Sequence, residues 1–195
     1  MPWNNLMLSK PTAFLVLCLV VACTPPILAE EGGYVVPLSA AQGDTLRFYF
    51  SSEKEEFNLR IYRFEKTRVL VKSVEEVKGK RQSVGDSAFF YGCDWKPGYT
   101  LAVPHDWPSG VYEAEFAGES GARNITFVVR ERESSAHSKI VVSLAASTWQ
   151  AYNNFGCRSL YNFNSLDSTA SHRVSFERPL ATSSGATEDQ SYRRF

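Results

Sequence analysis

The sequence predicts a mainly β chain: an immunoglobulin-like β-sandwich over residues 31–132, followed over 139–195 by the truncated start of an α/β domain. Three observations predict it. Between Tyr34 and Glu131, apolar residues alternate with polar ones over short runs, the pattern of half-buried antiparallel strands. Gly, Pro, Asp and Ser punctuate those runs at the spacing of a sandwich, with about seven strands in roughly 100 residues. Finally, Ile140 to Ala146 is a short apolar run that does not alternate, as in a parallel strand covered on both faces.

The first element is a leader. Lys10 is the only charge before an apolar core from Ala13 to Ala22, which is too short for a comfortable membrane span. Residues 1–29 therefore read as a secretory signal, and the protein as exported: extracellular, periplasmic or membrane-anchored. Two cleavage readings stand side by side. Val20-Val21-Ala22-Cys23 looks like a lipobox, in which Cys23 would carry lipid and anchor the chain. Ile27-Leu28-Ala29 before Glu30 looks like an ordinary small-residue site.

The sandwich strands follow in order. Tyr34 to Val36 with Leu38 is the first. Thr45 to Phe50 sets Leu46, Phe48 and Phe50 on one face, and Phe57 to Tyr62 continues with Asn58 and Arg60 opposite. Val69 to Val71, Tyr99 to Val103, Gly110 to Phe116 and Ile125 to Arg130 complete the set. Gln42-Gly43-Asp44 and Trp107-Pro108-Ser109-Gly110 are turns, because Pro fixes φ and Gly tolerates positive φ. Ser73 to Ser87 is charged with mixed sign and reads as a solvated loop or hairpin. Trp95 and Trp107 are either a stacking platform or core packing at the sandwich end; packing is the simpler reading. Asn124-Ile125-Thr126 is a glycosylation sequon, without meaning if the lipobox is real.

Residues 133–138 are a polar linker. Just past Ala146 come Trp149, Tyr152, Asn153, Asn154, Phe155 and Gly156, where open α/β sheets place ligands. After Ala181 the chain is polar, rich in Ser and Thr and without periodicity, so low order is expected there. Cys93 and Cys157 are the cysteines outside the leader. A disulfide between them is permissible in an exported protein, and two separate thiols are equally compatible. His172 is the only histidine of the second segment, and no Ser-His-Asp order or His-x-x-x-His spacing supplies a hydrolytic triad.

Trp-Gln-Ala-Tyr-Asn at 149–153, Ser159-Leu160-Tyr161 and Ser175-Phe176-Glu177-Arg178-Pro179, with Cys93-Asp94-Trp95 and Trp107 to Tyr112 before them, resemble the N,N-dimethylformamidase large (beta) subunit-like family. The resemblance implies an enzyme that hydrolyses a non-peptide amide C–N bond with one iron held by two tyrosines and a glutamate. Such hard oxygen donors suit ferric ion. By motif, Tyr152 is the candidate for the first tyrosine ligand. Tyr161 and Tyr192 are available as a second, but neither matches by motif. Glu177 reads more easily as structural. Cys157 stands where relatives tend to have a second glycine. The glutamate ligand is expected further along than the chain runs, so these 195 residues read as an incomplete, inactive fragment that holds no cofactor itself and takes a small amide only when complete.

Charge narrows the partners. Lys plus Arg equals Asp plus Glu, 21 each, which argues against nucleic acid. With no sheet of its own, the Ile140–Ala146 strand would pack on the sandwich, stay partly disordered or be completed by another chain. The alternative to an enzyme is a non-enzymatic extracellular immunoglobulin-like module that binds a glycan or a protein.

Overall fold

The computed structural model describes residues 31–118, 121–132 and 141–181. The leader with Cys23, the linker at 133–138, Ile140, Tyr192 and the tail after 181 lie outside the described residues. Eight strands are present: β1 (Gly32–Val36), β2 (Ser39–Ala41), β3 (Thr45–Ser51), β4 (Glu56–Phe64), β5 (Arg68–Lys78), β6 (Pro97–Ala102), β7 (Gly110–Gly118) and β8 (Gly121–Arg130). A one-turn helix, α1 (Ala88–Tyr91), precedes β6, and α2 (Ala146–Tyr152) follows β8.

The strands form two sheets, ordered β1-β3-β6 and β2-β8-β7-β4-β5. Every pairing is antiparallel except the short parallel contact of β2 with β8. Across the cis Val36–Pro37 peptide the chain passes from β1 in the small sheet to β2 in the large one. The order is that of an immunoglobulin-like sandwich, with β1-β3-β6 as its A-B-E strands and β8-β7-β4 as G-F-C.

Alternation sets the core. On β3, Leu46, Phe48 and Phe50 are buried while Thr45 and Arg47 face solvent; on β4, Phe57, Leu59 and Ile61 are buried between exposed Asn58 and Arg60. Both sheets feed one cluster, which Tyr112, Ala114 and Phe116 of β7 and Ile125, Phe127 and Val129 of β8 complete. Aromatic rings meet edge-to-face across the gap: Phe48 with Phe127 at 5.5 Å and Phe50 with Phe116 at 5.0 Å. Leading into β7, the Tyr112 hydroxyl donates to the Pro108 carbonyl at 2.7 Å. This is the tyrosine corner of such sandwiches, and Trp107 stacks on the same ring at 4.9 Å. Trp95 and Trp107 are both buried, so both pack rather than present a platform.

Two elements differ from the sequence reading. The charged stretch after Ser73 is strand as far as Lys78, because β5 pairs with β4 along its length and lies at a sheet edge. Its charges meet water there and discourage further pairing. The expected buried strand at Ile140–Ala146 is not formed over its described residues. Val141 and Val142 are 92% and 65% exposed, residues 141–145 carry no strand, and Ala146 opens α2. A strand is stable only where a neighbour completes its ladder, and among the described residues none lies beside this run. Residues 146–181 pack as an irregular arm on the sandwich. Among the described residues no helix is long and apolar enough to cross a membrane.

Candidate functional site

The arm is held by polar side chains turned inward. Its centre is Arg178, 1% exposed. The guanidinium donates to five main-chain carbonyls: Nε to Ser175 at 3.0 Å, Nη1 to Phe155 and Arg158, and Nη2 to Gln150 and Asn153. Five donors in a planar fork can saturate converging carbonyls as no other side chain can. Burial pushes the Arg178 pKa down to about 10, so it is charged at neutral pH.

Asn153 makes a second clamp. Its Nδ2 donates to Gln150 Oε1 at 3.0 Å and to the Pro179 carbonyl at 2.8 Å, while Oδ1 accepts from the N–H groups of Phe155 and Ala181. Its amide is therefore consumed in closing the end of α2 onto the last described residues. The sequence reading offered Asn153 as a ligand donor; the structure gives it a structural task.

The arm docks on the outer side of the small sheet. Phe155 enters a cluster with Tyr34, Ala88, Cys93 and Trp95, with its ring edge-on to Trp95 at 6.3 Å. Cys93 N–H donates to the Glu177 carbonyl and Ser175 N–H to the Phe89 carbonyl. Two glycines permit this approach. A Cβ on Gly32 would lie 2.8 Å from Pro179 Cβ, and one on Gly156 would lie 2.9 Å from Phe89 N. Gly156 has φ +77, and Cys157 follows at φ 78. That second left-handed conformation is one glycine adopts at no steric cost, which matches the glycine that the resemblance places at this position. Cys93 is buried and Cys157 exposed, and both are thiols.

At the end of α2 the arm turns back, where Leu160 N–H donates to the Ala151 carbonyl at 2.9 Å. This return stacks Tyr161 on Tyr152, with ring centroids 4.3 Å apart and planes 24° from parallel. Phe163 closes the group at 5.7 Å from Tyr161. Short polar residues fix the loop: Tyr161 N–H donates to Ser159 Oγ at 2.9 Å, Ser165 Oγ to the Tyr161 carbonyl at 2.6 Å, and Asn164 Nδ2 to the Tyr152 carbonyl at 2.7 Å. Interaction with the neighbouring Tyr152 phenol holds the Tyr161 pKa above its usual value.

The sequence-predicted residues thus separate. Tyr152 meets Tyr161, a partner the motif did not supply. Glu177 is exposed, and its carbonyl accepts from the Cys93 N–H. His172 is exposed and stands edge-on to Phe90 at 5.3 Å, a surface contact. At the sequon, Asn124 is half-buried, with its Oδ1 turned inward. Against the iron that the resemblance implies, the two phenols have the right hard-oxygen character. Among the described residues no three His, Cys, Asp or Glu side chains gather where they could hold a metal ion.

Comparison with known proteins adds the family. No curated protein matches the chain. A family model described as N,N-dimethylformamidase beta subunit-like, C-terminal, matches residues 58–193. The matched span starts inside β4, includes the turn before Tyr112 and runs through Tyr152, Tyr161 and Arg178. It covers more than half of the chain, and the chain belongs to the N,N-dimethylformamidase beta subunit-like family.

Proposed function

We propose that this family member is an exported hydrolase of small non-peptide amides, and that the Tyr152 and Tyr161 phenols are oxygen donors of its reaction centre. One observation carries the reading: two phenols, nine residues apart in sequence, are stacked with ring centroids 4.3 Å apart. Polar side chains at 159, 164 and 165 hold that stack from the main-chain side. Export rests on the leader pattern, Lys10 before the apolar core at 13–22.

Amide hydrolysis adds water across the C–N bond. The acyl carbon takes the hydroxyl oxygen, and the amine leaves with the proton. A ferric ion, when bound, would supply Lewis acidity toward the amide carbonyl, and Tyr152 and Tyr161 are the residues that would hold it. The chain's own contribution is positioning. The return of Leu160 onto α2 sets the ring spacing, and the Ser159–Asn164–Ser165 network fixes the main chain at Tyr161. Tyr161 must lose its phenolic proton before it becomes an anionic donor, and its raised pKa means that only a nearby positive charge makes this favourable at neutral pH.

The test uses the full chain, loaded with ferric iron, and its Tyr152→Phe and Tyr161→Phe variants. Visible absorption reads phenolate-to-iron charge transfer, and release of amine and acid from N,N-dimethylformamide reads hydrolysis. Loss of both signals in each variant is expected. Retention of the wild-type band and rate by Tyr161→Phe would remove Tyr161 from the centre and the phenol pair from the proposal.

A further inference from the structure

A second surface is built where the arm meets α1. Of that helix only Ala88 is buried, so Phe89, Phe90 and Tyr91 follow one another along the surface. Main-chain bonds pin the arm there: Ser175 N–H donates to the Phe89 carbonyl at 2.8 Å, and Cys93 N–H, just past the helix, donates to the Glu177 carbonyl at 2.9 Å. The arm thereby lays two guanidinium groups on the rings. Arg173 Cζ stands 5.0 Å from the Phe90 centroid, and Arg158 Cζ stands 5.6 Å from that of Phe89. Tyr91 meets Phe90 at 4.7 Å, and His172 lies edge-on to the same ring at 5.3 Å.

Neither arginine is consumed in holding the fold. Among the described residues no carboxylate pairs with either one. Their main chains alone take part in hydrogen bonds, whereas the Arg178 donors are spent on five carbonyls. Contact with a ring orients each guanidinium and leaves its N–H groups for a planar acceptor, which a carboxylate supplies in pairs. Tyr91 is 75% exposed, so its ring is open to a ligand. An aromatic face is negative and attracts the C–H groups of a saturated ring. With 21 basic and 21 acidic side chains, the chain lacks the basic excess that a nucleic-acid backbone calls for. The ligand that answers both features carries carboxylates on saturated rings.

We propose that this surface binds an acidic polysaccharide made of uronate units, with Tyr91 stacked on a pyranose ring and the Arg158 and Arg173 guanidinium groups on its carboxylates. Phe89 and Phe90 hold the two guanidinium groups in place. Because α1 and the arm each supply part of it, the surface exists only while the arm is docked. It does not rest on the phenol pair or on amide hydrolysis.

Three tetramers test it on the full-length protein: tetragalacturonate, maltotetraose and tetraglutamate. The first has sugar rings and carboxylates, the second rings alone and the third carboxylates alone. Binding is followed by calorimetry and by the NMR signals of the Tyr91 ring and the Arg158 and Arg173 side chains. Tetragalacturonate is expected to bind with about millimolar affinity, and the other two at least about tenfold more weakly. Tyr91→Ala and Arg173→Gln change exposed side chains, and each should weaken tetragalacturonate about tenfold. Arg60→Gln, at an exposed position on β4, removes the same charge elsewhere and should leave binding unchanged. Four results overturn the proposal: tetraglutamate binding as tightly, which would make this a surface for acidic peptides; maltotetraose binding as tightly; Arg60→Gln losing as much as Arg173→Gln; or no probe binding.

Discussion

Replacing Arg178 with methionine should undock the arm and leave the sandwich folded. The side chain keeps its length and apolar stem but loses every donor, so the carbonyls of Gln150, Asn153, Phe155, Arg158 and Ser175 lose their partner at once. Charged hydrogen bonds contribute about 1.5–3 kcal/mol each, but a plain sum ignores the several kcal/mol spent in burying the cation. Each carbonyl left buried without a donor costs about 1–3 kcal/mol. That loss is bounded by the docking free energy, because the arm can open and rehydrate its carbonyls. Arg178→Lys is the informative companion. Lysine has three donors for five acceptors, so at least two carbonyls stay bare, at about 2–6 kcal/mol together.

Hydrogen exchange reads this directly. The N–H groups of Asn153, Cys157, Leu160, Ser171 and Ser175 are each bonded to a main-chain carbonyl within or beneath the arm. In Arg178→Met they should exchange on the order of a hundredfold faster, the equivalent of about 3 kcal/mol, while amides of β4 and β7 keep their protection. If the arm amides stay within a few-fold of wild type, the carbonyl cage is not what holds the arm, and the reasoning fails.

Other perturbations have equally definite outcomes. Gly156→Ala combines positive φ with a Cβ 2.9 Å from Phe89 N; it should cost about 1–3 kcal/mol and raise exchange in the arm before the sandwich. Tyr112→Phe removes the 2.7 Å bond to Pro108, a loss of about 1 kcal/mol at neutral pH by denaturant titration. Burial pushes the Tyr112 phenol up to about 12, so its neutral form stabilises the fold below pH ~10, and that contribution, about 2–3 kcal/mol, disappears as pH rises toward 12. The variant's stability should therefore fall less steeply than wild type across that window. Asp44 lies the other way. The Ala41 N–H first, then Arg132 and Arg130, hold its carboxyl below the usual value, so its contribution is present above the ordinary carboxylate pKa and lost as pH falls through the lowered one. Acid unfolding of Asp44→Asn should begin from a less stable protein and show a weaker pH dependence.

The sandwich was readable because each strand carries its own period. Leu46-Phe48-Phe50 and Phe57-Leu59-Ile61 declare a face without reference to anything distant, and the structure buries those faces. β2 carried no such signal, since Ser39-Ala40-Ala41 lacks strand formers and is a strand only because β8 lies beside it. The run at 140–146 misled for the converse reason. Its apolar character is real, but no neighbouring strand among the described residues turns it into a ladder. Tyr152 could be singled out by motif, yet its meeting with Tyr161 depends on one main-chain bond between Leu160 and Ala151. Arg178 stood inside a recognisable motif, but nothing local announces that five carbonyls from residues 150 to 175 will converge on it.

The arm and the sandwich also explain each other's composition. Of the buried cluster at their contact, Phe155 is the arm's own member, and Tyr34, Ala88, Cys93 and Trp95 come from the sandwich side. An arm that contributes one buried ring cannot fold alone; its order comes from polar clamps closed over a floor made elsewhere. The family match spans part of that floor, since α1, Cys93 and Trp95 lie within 58–193, whereas Gly32 and Tyr34 of β1 precede it. β1 is nonetheless the strand on which Pro179 rests at glycine distance and on which Tyr34 stacks with Tyr49 at 4.7 Å beneath Trp95. The position of the phenol pair therefore depends on a strand outside the matched span. The sandwich is the floor on which the arm carrying Tyr152 and Tyr161 is set, and β1 meets that arm at Pro179 through Gly32 and at Phe155 through Tyr34 and Trp95.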